Sequence, residues 1–320
     1  MDTVPGEAKD KSNVNRDASE IGKPWFSGRT VEVLIYKINR RPMTGDPSLF
    51  KAPEDLLAHI KSVLEKGEPA TSGRNPKRTW QIGNLEYDHK RREFTGHLGW
   101  ARTAEALSQS WDPINQMWID KVVEREDSAV APLVFIEKGR LLGILKHPTF
   151  TTEIVLDKVL TEIFNRGERN SGSYATAWDI EPVGDEHEFL TWMSDLDQLT
   201  SLTLTFQRPN PDGEELFNDL FARLDALRAK SITEKYTALD REEGLDRQAI
   251  SNDKTSQGFI RAAMIAFGRV LARGNKDGAR VKYDQRESVL RAPITDVGDD
   301  WNTATTNVLR AVRNIGKEQD

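Results

Sequence analysis

The sequence predicts an α+β fold, with mixed or antiparallel sheets and helices packed on one face. Three observations carry that expectation. Stretches of strand character and stretches of helical periodicity follow one another without regular βαβ alternation. Two apolar stretches double back about a glycine, at Lys138-Gly139 and at "GNKDG", as hairpins do. The helical stretches are amphipathic, so each needs another element against one of its sides.

Taken in order, "TVEVLIYKI" at 30–38 is rich in β-branched residues and reads as the first strand. "APEDLLAHIKSVLEKG" follows, with Pro53 at the first helical position and Gly67 as its stop. Leu56, Leu57, Ile60, Val63 and Leu64 form its apolar stripe. A polar loop, "TSGRNPKR", leads to strands at 80–87 and 93–100, paired around "DHKRR". Residues 103–128 read as a loop or a broken helix, and Trp111, Met117 and Trp118 as core residues or an exposed docking patch.

"PLVFIEKGRLLGILKH" is a hairpin, and "TTEIVLDKVLTEIFNRG" is a helix stopping at Gly167. "SYATAWDIEP" is a strand, "DEHEFLTWMSDL" a short helix and "LTSLTLTFQR" a further strand. "AAMIAFGRVLARGNKDGARVKYDQR" reads as a hairpin, and "NTATTNVLRAVRNIG" as a last helix with Val308, Val312 and Ile315 inward.

Between the "LTSLTLTFQR" strand and the next helix stands "RPNPD", 208–212. Each proline keeps its predecessor, Arg208 or Asn210, out of the α region, and neither proline donates to a ladder, so the strand ends there. Asp212 is placed as an N-cap with Glu215 closing a capping box, ahead of the apolar face Leu216, Phe217, Leu220, Phe221, Leu224 and Leu227. The acidic first turn complements the helix dipole from within, so the corner reads as architecture rather than an anion site.

The "RPNPD" corner and the later "AFGRVLARGNKDGARVKYD" hairpin resemble an uncharacterised bacterial family found near anti-phage defence genes and mobile elements. The likeness runs mainly over 179–283, and this chain departs from the family pattern at Phe267-Gly268, where asparagine is usual before the glycine. The resemblance implies a bacterial cytoplasmic role in defence. It carries over no catalytic residues.

Composition divides the chain into a polar leader at 1–27, a basic β-rich part at 28–128 and an acidic α+β part at 129–320 with the C-terminal hairpin and helix. The net charge is −6, yet 28–102 holds 14 Lys and Arg against 9 Asp and Glu. Such asymmetry points to partners rather than to a fold. The chain has no cysteine, which excludes disulfides, thiolate metal sites and cysteine nucleophiles and fits a reducing cytoplasm. No apolar run approaches the roughly 20 residues that span a bilayer, so no membrane partner is expected.

No zinc-enzyme, Walker, nucleophile-elbow or dinucleotide motif is present. Three constellations remain. Asp88, His89 and His97 flank one turn and are the candidate metal ligands. Glu137, Asp179 and Glu181 lie at strand ends, where carboxylates could hold Mg²⁺ for phosphodiester chemistry. Asp185 and Glu188, just beyond, read as a capping box. Arg74, Lys77, Arg78 and Trp80, with Lys90, Arg91 and Arg92, combine cations with an aromatic as nucleic-acid contacts do. The primary reading is a non-catalytic interaction protein that binds another protein subunit and contacts nucleic acid through its basic half, with no cofactor. The alternative is a metal-dependent nuclease using Mg²⁺.

Overall fold

The computed structural model describes residues 24–43, 53–73, 77–112, 117–150, 153–173, 175–207 and 217–318, with the backbone path alone at 104–125, 153–154 and 318. The architecture is α+β, and among the described residues every strand pairing is antiparallel. The "RPNPD" corner, with Asp212 and Glu215, lies outside the described residues.

The first strand, β1 (Val31–Pro42), is the axis of an eight-stranded sheet. On one side it pairs with β6 (Leu141–Leu145), followed outward by β5 (Met117–Ile136), β4 (Glu93–Asp112), β3 (Arg78–Asp88) and β2 (Ala70–Ser72). On its other side β12 (Arg291–Ile294) takes positions 31–34 and β7 (Thr176–Pro182) takes 36–42. Side chains alternate between faces along a strand, so β1 divides its residues between two environments. One face is covered by α1 (Leu56–Glu65) and α2 (Glu153–Asn170), but helices are not confined to that face of this sheet. The opposite face holds α7 (Trp301–Glu318), seated on β6 so closely that a Cβ at Gly143 would stand 2.2 Å from Val312. Val308 and Val312 are fully buried and Ile315 packs at the margin.

Two glycine and proline expectations shift. The carboxylate of Asp55 accepts from the Ala58 N–H at 3.0 Å and caps α1, so Pro53 precedes the helix rather than opening it. Helix α2 runs through Gly167 to Asn170. A Cβ at Gly167 would lie 2.0 Å from the Val63 carbonyl, so this glycine lets two helices touch and does not stop one.

The second core is a four-stranded sheet in the order β11 (Ala279–Asp284), β10 (Gly268–Lys276), β8 (Gln198–Gln207), β9 (Ser231–Thr237). Leu202, Leu204 and Phe206 alternate inward along β8, the pattern of a sheet with one wet face. They meet α3 (Glu186–Ser194), α4 (Asn218–Leu227) and α6 (Lys254–Met264), which follows the short α5 (Arg247–Asn252). "AAMIAF" therefore ends a helix, and only the remainder of that stretch is the hairpin. Leu227, expected inward, is 62% exposed because α4 ends there in a left-handed Arg228 cap. Leu220 and Leu224 keep the buried places.

The two cores do not divide at 128/129, a point inside β5. The first draws on 26–183 and 289–312, and the second on 189–283. Within 103–128 the described residues, 103–112 and 117–128, are neither loop nor helix. They belong to β4 and β5, which pair with each other from Glu93↔Ile136 to Asp112↔Met117.

Candidate functional site

The structure separates the sequence-derived candidates. Arg74 lies outside the described residues. Trp80 is fully buried, its ring packed edgewise on Phe150 and its Nε1 donating to Ser72 at 2.7 Å, so it is a core residue and offers no face to a base. This corrects its reading as a stacking residue. Arg78 donates to the Thr149 carbonyl and lies 4.2 Å over the Trp100 ring. Arg92 bridges Glu137 at 2.7 Å and Asp55 at 3.1 Å. Lys77, Lys90 and Arg91 are exposed, the last two on a turn whose N–H groups Asp88 accepts.

Asp88 is thus a turn residue. His89 stacks on Tyr87, while His97 contacts Asn84 at 3.0 Å and lies edgewise on Trp301. These three do not converge, and among the described residues no group of three His, Asp or Glu side chains could hold a metal ion. Asp185 caps α3 by accepting from the Glu188 N–H at 3.0 Å.

Glu137 parts from the other two carboxylates. The pairings place it level with β1 residues near Ile38, but three strand spacings from β7, about 14 Å. Asp179 and Glu181 do come together, with a residue the sequence did not nominate. In the β1–β7 register Asn39 faces Asp179 and Lys37 faces Glu181, so Lys37, Asn39, Arg41, Asp179 and Glu181 share one face. That face meets the second core. Lys37 sits 4.2 Å from the Phe267 ring centre, Asn39 donates to the Ala266 carbonyl at 3.2 Å, and Arg41 reaches Gln207 at 3.1 Å.

In this polar seam Arg41 holds Asp179 at 2.9 Å, while Arg286 stands 3.5 Å from Glu181. Asp157 of α2 joins them electrostatically. Burial, then the Asp179 charge, pushes the Glu181 carboxyl up to about 8 against the pull of Arg286 and Arg41. Burial likewise pushes Asp157 up to about 6. The Asn39 Oδ1 and one Asp157 carboxylate oxygen are buried without a hydrogen-bond partner among the described residues. The seam can therefore retain protons at neutral pH.

The opposite face of the same two strands is the reverse case. Glu168, fully buried on α2, accepts from Arg40 at 2.7 Å, Thr176 at 2.6 Å and Trp178 at 2.8 Å, and contacts His59 at 2.8 Å. Burial alone would raise its pKa, but the hydrogen bonds and the Arg40 charge outweigh that and hold it far below the ordinary range. Sequence reasoning missed both Asp157 and Glu168. The usable signal was a polar line on α2, Asp157, Thr161, Asn165 and Glu168, at helical spacing beside the apolar stripe of Leu156, Val159, Leu160 and Ile163. Thr161 and Asn165 bind the free backbone edge of β7, at Ile180 and Trp178.

The third feature is the end of the β4–β5 hairpin. β3 accompanies β4 only to Ala101, and β6 accompanies β5 only at Leu133–Ile136. Beyond Arg102 and Asp127 the described strands pair with each other alone, as a two-stranded ribbon. Its root is fastened by the Arg102–Asp127 ion pair at 2.9 Å, with Arg102 and Arg78 both over Trp100. Trp25 donates to the Val130 carbonyl at 3.1 Å beside it.

The geometry thus defines a two-core α+β protein with a part-buried polar seam and a two-stranded ribbon beyond its larger sheet. The chain belongs to the family described as a domain of unknown function, DUF4747, whose profile matches residues 119–312, more than half its length. No curated protein shows a significant sequence match to it. No helix of the described residues is long and apolar enough to cross a membrane.

Proposed function

We propose that this is a non-catalytic interaction protein whose contact element is the β4–β5 ribbon. One observation carries the reading: about ten residue pairs extend past the sheet with no strand on either outer edge among the described residues. An isolated two-stranded ribbon is marginal in water, and its edges are templates for another chain. A bacterial cytoplasm, and the defence setting that the resemblance implies, belong to this proposal as the context for seeking a partner. The test is capture from the native host with the full chain and with a chain shortened at the ribbon. A partner held by the first and lost by the second is expected. Equal capture by both removes the ribbon from the reading, and no capture combined with turnover of a substrate overturns it.

Nucleic-acid contact rests on Lys77, Lys90 and Arg91, exposed near the two ends of β3. Eleven residues of strand put those ends about 36 Å apart, so they would touch separate phosphates of one extended molecule. A mobility shift that weakens with salt and vanishes in K77E/K90E/R91E is expected. Salt-independent retardation places the contact elsewhere.

The metal-dependent nuclease has one observation in its favour, the electrostatic coupling of Asp179, Glu181 and Asp157, which do not themselves form a group able to hold a metal ion. Glu137 stands apart from that group, bound by Arg92. A cleavage assay on DNA and RNA with Mg²⁺ or Mn²⁺ decides: cutting abolished by Asp179→Asn would establish the activity, and its absence in the wild type would remove it.

A further inference from the structure

The ribbon bears a charge that narrows its occupant. By sequence, 103–128 contains Glu105, Asp112, Asp120, Glu124, Glu126 and Asp127 against Lys121 and Arg125, a difference of four negative charges. This disfavours nucleic acid, and it disfavours one ribbon lying along another, since like charges would face across the contact. It favours a basic strip.

Strand β3 comes nearest to one through its ends, where Lys77 and Arg78 on one side and Lys90, Arg91 and Arg92 on the other outnumber Glu86 and Asp88 between them. Beyond the short β2 pairing at 78–80, the outer edge of β3 from Gln81 to Asp88 has no neighbouring strand among the described residues. Lys77 stands at one end of that strand, and Lys90 and Arg91 beyond the other. Strand β3 and the ribbon side 102–112 are each eleven residues, about 36 Å. A ribbon cannot lie on its own β3 edge, because the β4 register carries it past the end of that strand. The β3 edge is interrupted between Gly83 and Glu86, with Asn84 at φ 52. Such a bulge discourages continuous strand addition, so charge rather than an extended ladder governs the contact.

We infer that two copies of this chain associate by exchanging ribbons, each acidic ribbon lying along the basic-ended β3 edge of the other copy. The arrangement is isologous: what one copy offers the other receives, and it closes at two. The inference rests on the ribbon as contact element, but that reading stands or falls by capture of a partner, whereas this one concerns the purified chain alone.

Sedimentation velocity of the purified full chain is the test. A dimer is expected at low salt, with its dissociation constant rising about tenfold as the screening length falls from about 30 Å at 0.01 M to about 10 Å at 0.1 M. Replacing 104–125 by an Asn-Gly turn keeps the Arg102–Asp127 root and should give a monomer with unchanged unfolding temperature. K77E/K90E/R91E should also give a monomer, and mixing it with a chain carrying E105K/E124K should restore a heterodimer. A monomeric wild type overturns the inference, as does a dimer that survives ribbon removal. A dimer indifferent to K77E/K90E/R91E overturns the assigned face.

Discussion

The two faces of the β1–β7 pair hold buried carboxylates under opposite conditions. On the α2 side Glu168 has more donors than it needs, two of them, Arg40 and His59, cationic or able to become so. On the other side Asp179 and Glu181 share Arg41 and Arg286, with Asp157 of α2 adding its charge from the edge of β7, and two buried acceptor oxygens are left over. Burial desolvates Glu168, Glu181 and Asp157, each of which it pushes toward the protonated form. The surplus or deficit of donors decides whether the carboxylate keeps its charge or holds a proton.

The largest expected effect breaks the satisfied side. Glu168→Ala leaves Arg40, itself 6% exposed, without its counter-charge, and loss of one partner from a buried pair costs about 3–5 kcal/mol. Denaturant unfolding at pH 7 measures it. Retention of stability within about 1 kcal/mol would show that water reaches Arg40.

Gly167→Ala attacks the same side through packing. Its methyl group would force α1 off α2 at Val63, at a cost of about 1–3 kcal/mol. A change confined to the usual gain of alanine over glycine in helices would show that the two helices can part without loss.

The seam should respond with the opposite sign. A carboxyl whose folded pKa is raised contributes stability at low pH that is lost as pH rises, here for Glu181 between its ordinary value of 4.5 and about 8. Glu181→Gln should therefore stabilise the protein at pH 9 by about 1–2 kcal/mol while changing little at pH 4. Asp157→Asn should act in the same direction over a lower window, from 3.8 to about 6, by about 1 kcal/mol or less. Glu168 runs the other way: its pKa is lowered, so its contribution is present above 4.5 and fades as pH falls below that. Unfolding midpoints from pH 4 to 9 separate the three, and parallel curves for wild type and Glu181→Gln would refute the donor-deficit account. Lys90→Ala, on an exposed turn, should stay within about 0.5 kcal/mol and serves as the reference.

How much of this was legible depended on the range of the forces involved. The hairpin at Lys276 to Gly278, the alternation of Leu202, Leu204 and Phe206, and the Val308–Val312 stripe are local patterns, and each is found where the sequence placed it. The ribbon was illegible because Ser108, Gln109 and Ser110 carry no strand propensity, and pairing across the hairpin overrode it. β2 and β12 are only three and four residues long, too short for a periodic signal. The nominations of Asp179 and Glu181 found two acidic residues on one face of β7, Asp179 in mid-strand and not at its end, but their partners, Asp157 and Arg286, join them only through the tertiary fold. Trp80 was misread because an aromatic next to cations is the same string whether it faces solvent or core.

The alternation along β1 has one more consequence. Arg40 and Asn39 are neighbours in sequence and belong to opposite faces, the first to Glu168 and the second to the seam. Were β1 to pair one residue out of step, Arg40 would turn away from its carboxylate, and Lys37 and Arg41 would be driven among the apolar side chains of α2. An apolar strand misaligned by one position can still bury grease. This one would bury unmatched charge, so the polar residues act as a proofreading mark on the central strand, rejecting the wrong alignment while the sheet is still assembling.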